Sequence, residues 1–97
     1  MEITPTTLDP RLQKLVNLKI DGIDIMHGEL KILMLEAEAE LQMAQEIEEE
    51  NDYSDAMESM ERKYWEGYTD ALAALYSLTY DLSFAVAARE AADNANV

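Results

Sequence analysis

"LVNLKIDGIDIMHGELK", residues 15–31, carries two incompatible patterns. Val16, Leu18 and Ile20 alternate up to Asp21-Gly22, and Ile23 and Ile25 follow, as in a tight β-hairpin. The same letters also continue a helical stripe. At 100° per residue, Leu12, Leu15, Val16, Ile20, Ile23, Met26, Leu30, Leu33, Met34, Ala37, Leu41 and Ala44 share roughly 140° of arc, and the Asp21-Gly22 pair does not break the phase. The hairpin reading uses five apolar positions, leaves Leu15 and Met26 out of step, and offers one good cross-strand pair, Lys19 opposite Asp24. A two-stranded hairpin also needs a sheet to join, and no other segment here resembles a strand. The stretch therefore reads as helix. Gly22 and Gly28 each cost a helix about 1 kcal/mol relative to alanine, which marks where a joint belongs.

Asp9-Pro10 opens that helix, with a side-chain acceptor at the N-cap and a proline where no N–H is needed. The expected organisation is a flexible arm at 1–8 and a first helix over 10–49, jointed near Gly22. An acidic turn at 50–54, with Asp52 or Ser54 as the next cap, leads to a second helix over 55–92 and a frayed tail at 93–97. On the second helix Met57, Met60, Tyr64, Tyr68, Ala71, Leu72, Leu75, Leu78, Leu82 and Val86 share roughly 120° of arc and are the expected core stripe. Tyr64, Tyr68 and Leu75 are assigned to that core. The fold class is all-α: one domain, a long antiparallel helical hairpin with arms of up to about 60 Å at 1.5 Å per residue.

Each helix also carries a second apolar stripe. On the first, Leu18, Ile25 and Ile32 recur every seven residues, a coiled-coil spacing. On the second it is Trp65, Tyr76, Tyr80 and Phe84, of which the Trp and Tyr side chains have the apolar body and polar tip that anchor interfaces. Three helices of one chain with a shared core would absorb some of this surface. A homo-oligomer, with hairpins pairing into a bundle, or a surface kept for another protein would absorb the rest. The homo-oligomer is the expected arrangement, with those seven residues at its interface.

Charge is the other dominant feature: 21 Asp and Glu against 7 Lys and Arg, a net of −14. Such a chain repels nucleic acid and anionic membranes directly and attracts basic proteins. Between Glu36 and Glu61 there are eleven acidic residues and no Lys or Arg. Antiparallel helices gather most of them at one end of the rod. Asp52, Asp55 and Glu58 complement the dipole at the start of the second helix, whereas Glu46, Glu48, Glu49 and Glu50 oppose it at the end of the first. Together with Glu61 these are the candidate partner-binding carboxylates. They serve either as a solvated, solubilising face or as a polyanion surrogate for a groove built around phosphates.

No catalytic residue stands out. His27 is the single histidine, no nucleophile motif surrounds any serine, and three glycines form no phosphate loop. Asp24 and His27 lie one turn apart, half of a di-metal bundle motif, without the second Glu-x-x-His pair. No cofactor and no metal are expected. With no cysteine there is no disulfide or thiolate chemistry. "MEITPTTLDP" lacks the basic and apolar regions of a secretory signal. Residues 71–88, the most apolar run, fall short of the roughly 20 residues of a span and include Asp81. A cytoplasmic location is expected, with no membrane contact.

The stretch "MERKYWEGYTDALAALYSLTYDLSFAVAARE", residues 60–90, resembles small acidic helical orphan proteins of bacteriophages, particularly those of actinobacteria, most of all around "YWEGYTDAL". The resemblance implies phage origin, in host takeover or in the virion, and transfers no functional residue. The expected function is a non-enzymatic accessory protein. Its acidic surface would bind and inhibit a basic host protein that handles nucleic acid or serves in defence. The alternative is a self-assembling structural component whose charge only keeps it soluble.

Overall fold

The computed structural model of the chain describes residues 7–95. They form α1 (Pro10–Asn17), α2 (Gly22–Glu50) and α3 (Ala56–Ala95), with no strand among the described residues. The fold is all-α, and α2 and α3 pack along each other as an antiparallel hairpin. The molecule is a rod of 65 × 31 × 27 Å. Residues 1–6, most of the expected arm, lie outside the described residues, as do 96 and 97. The expected fraying from 93 is corrected up to Ala95, which is still helical.

The opening stretch is neither a β-hairpin nor an unbroken helix. Asp9 caps α1, its carboxylate accepting from the Arg11 N–H at 2.8 Å, with Pro10 in the first turn. The helix stops at Asn17. Ile20 N–H then donates to the Leu15 carbonyl at 3.2 Å and Lys19 N–H to that of Val16 at 3.0 Å, while Lys19 takes a left-handed φ of 64°. This is the Schellman closure of a helix end, with apolar residues at both ends of the longer bond. The alternation of Leu18 and Ile20 that mimics a strand belongs to this turn. The joint therefore falls at Lys19, and Asp21 is the N-cap of α2.

The chain reverses there, and α1 lies back along the start of α2. Arg11 reaches Glu29 at 2.6 Å, and Leu8, Leu12 and Val16 form an apolar cleft with Ile25 and Met26. Among the described residues α1 packs on α2 and not on α3. The expected single stripe running from Leu12 to Ala44 is thus corrected: its first part faces the outside of α2.

The inner face of α2 is regular. Apart from Ile25 and Glu29, which lie under α1, its half-buried and buried residues are Ile23, His27, Leu30, Met34, Ala37, Leu41, Ala44 and Glu48. Steps of four and three alternate throughout, the seam of an antiparallel coiled coil. On α3 the matching ladder is Glu58, Arg62, Trp65, Thr69, Leu72, Tyr76, Thr79, Ser83 and Val86, with the same steps. This ladder is mixed in polarity, and it overturns the expected core. Of the expected stripe only Leu72 and Val86 face α2. Tyr64, Tyr68 and Leu75 are exposed, with Met57, Met60, Leu78 and Leu82. Fully buried apolar residues number three among the described residues: Ala37, Ala44 and Leu72.

The tip closes like the joint. Tyr53 N–H donates to the Glu48 carbonyl at 2.9 Å and Asp52 N–H to that of Glu49 at 3.1 Å, with Asp52 and Tyr53 at φ 54° and 59°. The cap of α3 is Asp55, accepting from the Met57 N–H at 2.9 Å, rather than Asp52 or Ser54.

Candidate functional site

Among the described residues α3 exposes more large apolar side chains than α1 or α2. Met57, Tyr64, Tyr68, Leu75, Leu78 and Leu82, with Glu61 and Ala71 between, repeat the three-four spacing one residue out of phase with the inner ladder. Tyr64 is 60% exposed and Leu78 is 55% exposed, values that exclude a covering element within the described chain. Three rings stiffen one end of the stripe. Tyr64 meets Trp65 edge-on at 5.1 Å and stacks on Tyr68 at 6.0 Å, and Trp65 meets Tyr68 edge-on at 5.6 Å. Leu33 of α2 shares a recess with Trp65 and Tyr68 and extends the same face across the hairpin. The face is apolar and pre-formed.

The seven residues expected at an oligomer interface separate in space. Trp65 and Tyr76 belong to the inner ladder, and Ile25 lines the α1 cleft, so none of the three is a free interface residue. Leu18 is exposed at the joint and Ile32 on α2. Tyr80 and Phe84 are exposed on α3, with centroids 4.9 Å apart, away from the stripe. The stripe is legible in the sequence, since Met57, Tyr64, Tyr68, Ala71, Leu75, Leu78 and Leu82 fall on one expected arc; only the direction of that arc differs.

The acidic end is likewise divided. Glu46, Glu49 and Glu50 line a shallow patch that holds no basic side chain, and Asp52, Asp55 and Glu61 are exposed beside it. Glu58 is half-buried and accepts from Asn51 Nδ2 at 2.7 Å. Glu48 is withdrawn from the expected set, with 1% of its surface exposed. Ser59 Oγ donates to its Oε1 and Arg62 Nε to its Oε2. The Ser59 bond lowers its pKa below the ordinary carboxylate value; burial opposes this and Arg62 reinforces it. Arg62 also holds Glu66 at 2.7 Å. The signal for this clasp was available, since Glu48 and Arg62 each fall on a three-four ladder.

Near the other end, His27 stacks on Tyr76 with centroids 4.3 Å apart and bonds Thr79 Oγ1 at 2.8 Å. The Thr79 hydroxyl also donates to the Tyr76 carbonyl at 3.0 Å, and His27 is thus a seam residue held against α3. Among the described residues no three His, Asp or Glu converge in metal-binding geometry. By length and composition α3 is the one described helix apolar enough to cross a membrane. The chain matches no protein-family model, no curated protein and no solved structure.

Proposed function

We propose that this chain is a cytoplasmic, non-enzymatic helical protein that works by self-assembly, its outer α3 face being the assembly surface. One observation carries the reading: the most apolar stripe of the longest helix points away from the chain's own core. Three fully buried apolar residues are few for a domain of this size, since a small domain must hide most of its apolar surface to offset chain entropy. Hairpins that bury such a stripe against each other form a four-helix bundle and supply the missing core. A small phage accessory component, the kind of protein that residues 60–90 resemble, suits this role.

Protein rather than lipid is the partner in this reading. Asp70 and Asp81 are exposed on the same helix, and α2 runs along it with charged residues at both ends. The test pairs light scattering with circular dichroism on the wild type and on Leu75→Glu/Leu78→Glu. The wild type is expected to exceed the 11.0 kDa of one chain, and the variant to dissociate. A wild type that stays monomeric and fully helical overturns self-assembly.

A second reading concerns the tip. Glu46, Glu49 and Glu50 make no ion pair among the described residues, and two consecutive non-glycine residues beside them hold left-handed backbone, a strain that concentrates at functional turns. The tip would dock a basic protein, such as a nucleic-acid-handling or defence factor of a host. Charge reversal at Glu46, Glu49 and Glu50 would abolish binding to that protein. Binding that survives the reversal rules the tip out.

A further inference from the structure

Resting on the self-assembly reading, we infer that the outer α3 face takes a second copy of this chain in antiparallel orientation, so that each acidic tip meets the partner's base. Three observations converge on this arrangement.

The first is the shape of the stripe. Two copies related by a two-fold axis must present the same patch to each other. The stripe from Met57 to Leu82 is centred near residue 70, and the small residues Gly67, Ala71 and Ala74 are exposed beside Tyr68 at its middle. A Cβ added at Gly67 would meet nothing within 4 Å, so the centre is open to a close approach by another helix. The bulky residues stand to either side, Tyr64 and Tyr68 before the centre and Leu75 and Leu78 after it. An antiparallel two-fold therefore sets Tyr64 of one copy against Leu75 of the other and Tyr68 against Ala71. The three-four spacing that seats α2 on α3 is repeated one residue away, so the new contact continues an existing coiled-coil surface.

The second is charge. The tip half carries the unbroken acidic run, with Arg62 and Lys63 as its cations. Arg11, Lys14, Lys19, Lys31 and Arg89 lie toward the base among Asp9, Asp21, Asp24, Glu29, Asp81, Glu90 and Asp93, so the base is the less acidic end. Lys14, Lys19 and Arg89 are exposed and make no ion pair among the described residues. A parallel pair would stack two acidic tips within a screening length of each other. The antiparallel pair brings residue 55 of one copy level with about residue 85 of the other on the helical rise, close to Arg89.

The third is area. A compact monomer of 11.0 kDa exposes about 5,600 Å² by the mass scaling of folded monomers. This rod exposes 7724 Å². The surplus of about 2,000 Å² per chain exceeds the roughly 800 Å² per partner of a standard interface.

The absence of cysteine allows a clean test on the full chain with two single-cysteine variants, Ala71→Cys and Met57→Cys. Sedimentation gives the mass of each before oxidation. A dimer is expected in which Ala71→Cys forms a disulfide-linked pair and Met57→Cys does not. Spin labels at Met57→Cys should lie about 40 Å apart, from 1.5 Å per residue on either side of the centre. Disulfide formation at Met57→Cys in a dimer means parallel copies and overturns this inference while leaving self-assembly intact. A dimer whose Ala71→Cys does not cross-link uses another face and overturns it too. A monomer that co-sediments with phosphatidylcholine vesicles assigns the face to lipid, and both the inference and the self-assembly reading fall.

Discussion

Arg62 of α3 closes over Glu48 of α2 and, with Ser59, takes that carboxylate out of the acidic tip and into the helix seam. The clasp fixes the register of the hairpin where both inner ladders become polar. Glu48→Gln leaves the shape but removes the charge that Ser59 and Arg62 satisfy, so the melting temperature at neutral pH should fall. The folded pKa of Glu48 lies below its ordinary value of 4.5. Its contribution is therefore complete above that value and is lost as pH falls through the depressed one. The difference between wild type and Glu48→Gln should shrink on acidification below pH 4.5. A difference that grows instead would contradict the assignment.

Lys19 decides the question posed by residues 15–31. With φ at 64° it occupies backbone that costs a side chain roughly 1 kcal/mol or more. Lys19→Gly should therefore stabilise the protein by about that amount in urea unfolding. In an unbroken helix the same change would destabilise by about 1 kcal/mol. The sign of the effect separates the two.

Much of this fold was legible and the rest was not, for identifiable reasons. Most of the α2 ladder, Ile23, Leu30, Met34, Ala37, Leu41 and Ala44, follows from apolar spacing, as do the cap at Asp9-Pro10 and the antiparallel hairpin. The same spacing adds Met26 and Leu33, which are exposed, and omits His27. On α3 apolar spacing picks out the right stripe but points it the wrong way. Apolar spacing says that Tyr64, Leu75 and Leu78 avoid water; it does not say which neighbour covers them. The face that meets α2 includes Thr69, Thr79 and Ser83, whose hydroxyls look solvent-seeking in sequence. Thr79 becomes acceptable there because His27 and the Tyr76 carbonyl satisfy it. The joint was placed near Gly22 because glycine is the usual breaker, yet Lys19 takes the left-handed position. Counting carboxylates puts Glu48 in the tip, whereas its place on the α2 ladder and its partners across the seam remove it.

His27 joins α2 to α3 by a ring stack and one hydrogen bond, worth about 2 kcal/mol together. His27→Ala should cost about that much, and His27→Phe should restore only the stacking share. Equal stability of all three proteins in thermal melts would show that the cluster contributes nothing.

Thr69 offers the opposite case. Its hydroxyl is buried without a hydrogen-bond partner on the inner ladder. Thr69→Val removes an unsatisfied group with little change in shape, and should raise stability by about 1 kcal/mol. A loss of that size would mean that the hydroxyl has a partner.

The central claim is that one hairpin leaves its best apolar stripe uncovered and is completed by another copy. Sedimentation equilibrium across a wide range of concentration, with helicity followed in the same samples, tests it most directly. The account predicts a mass of twice 11.0 kDa at high concentration and a melting temperature that falls on dilution, because association stabilises the folded state by mass action. A mass of 11.0 kDa throughout, with an unchanged melting temperature, would contradict it.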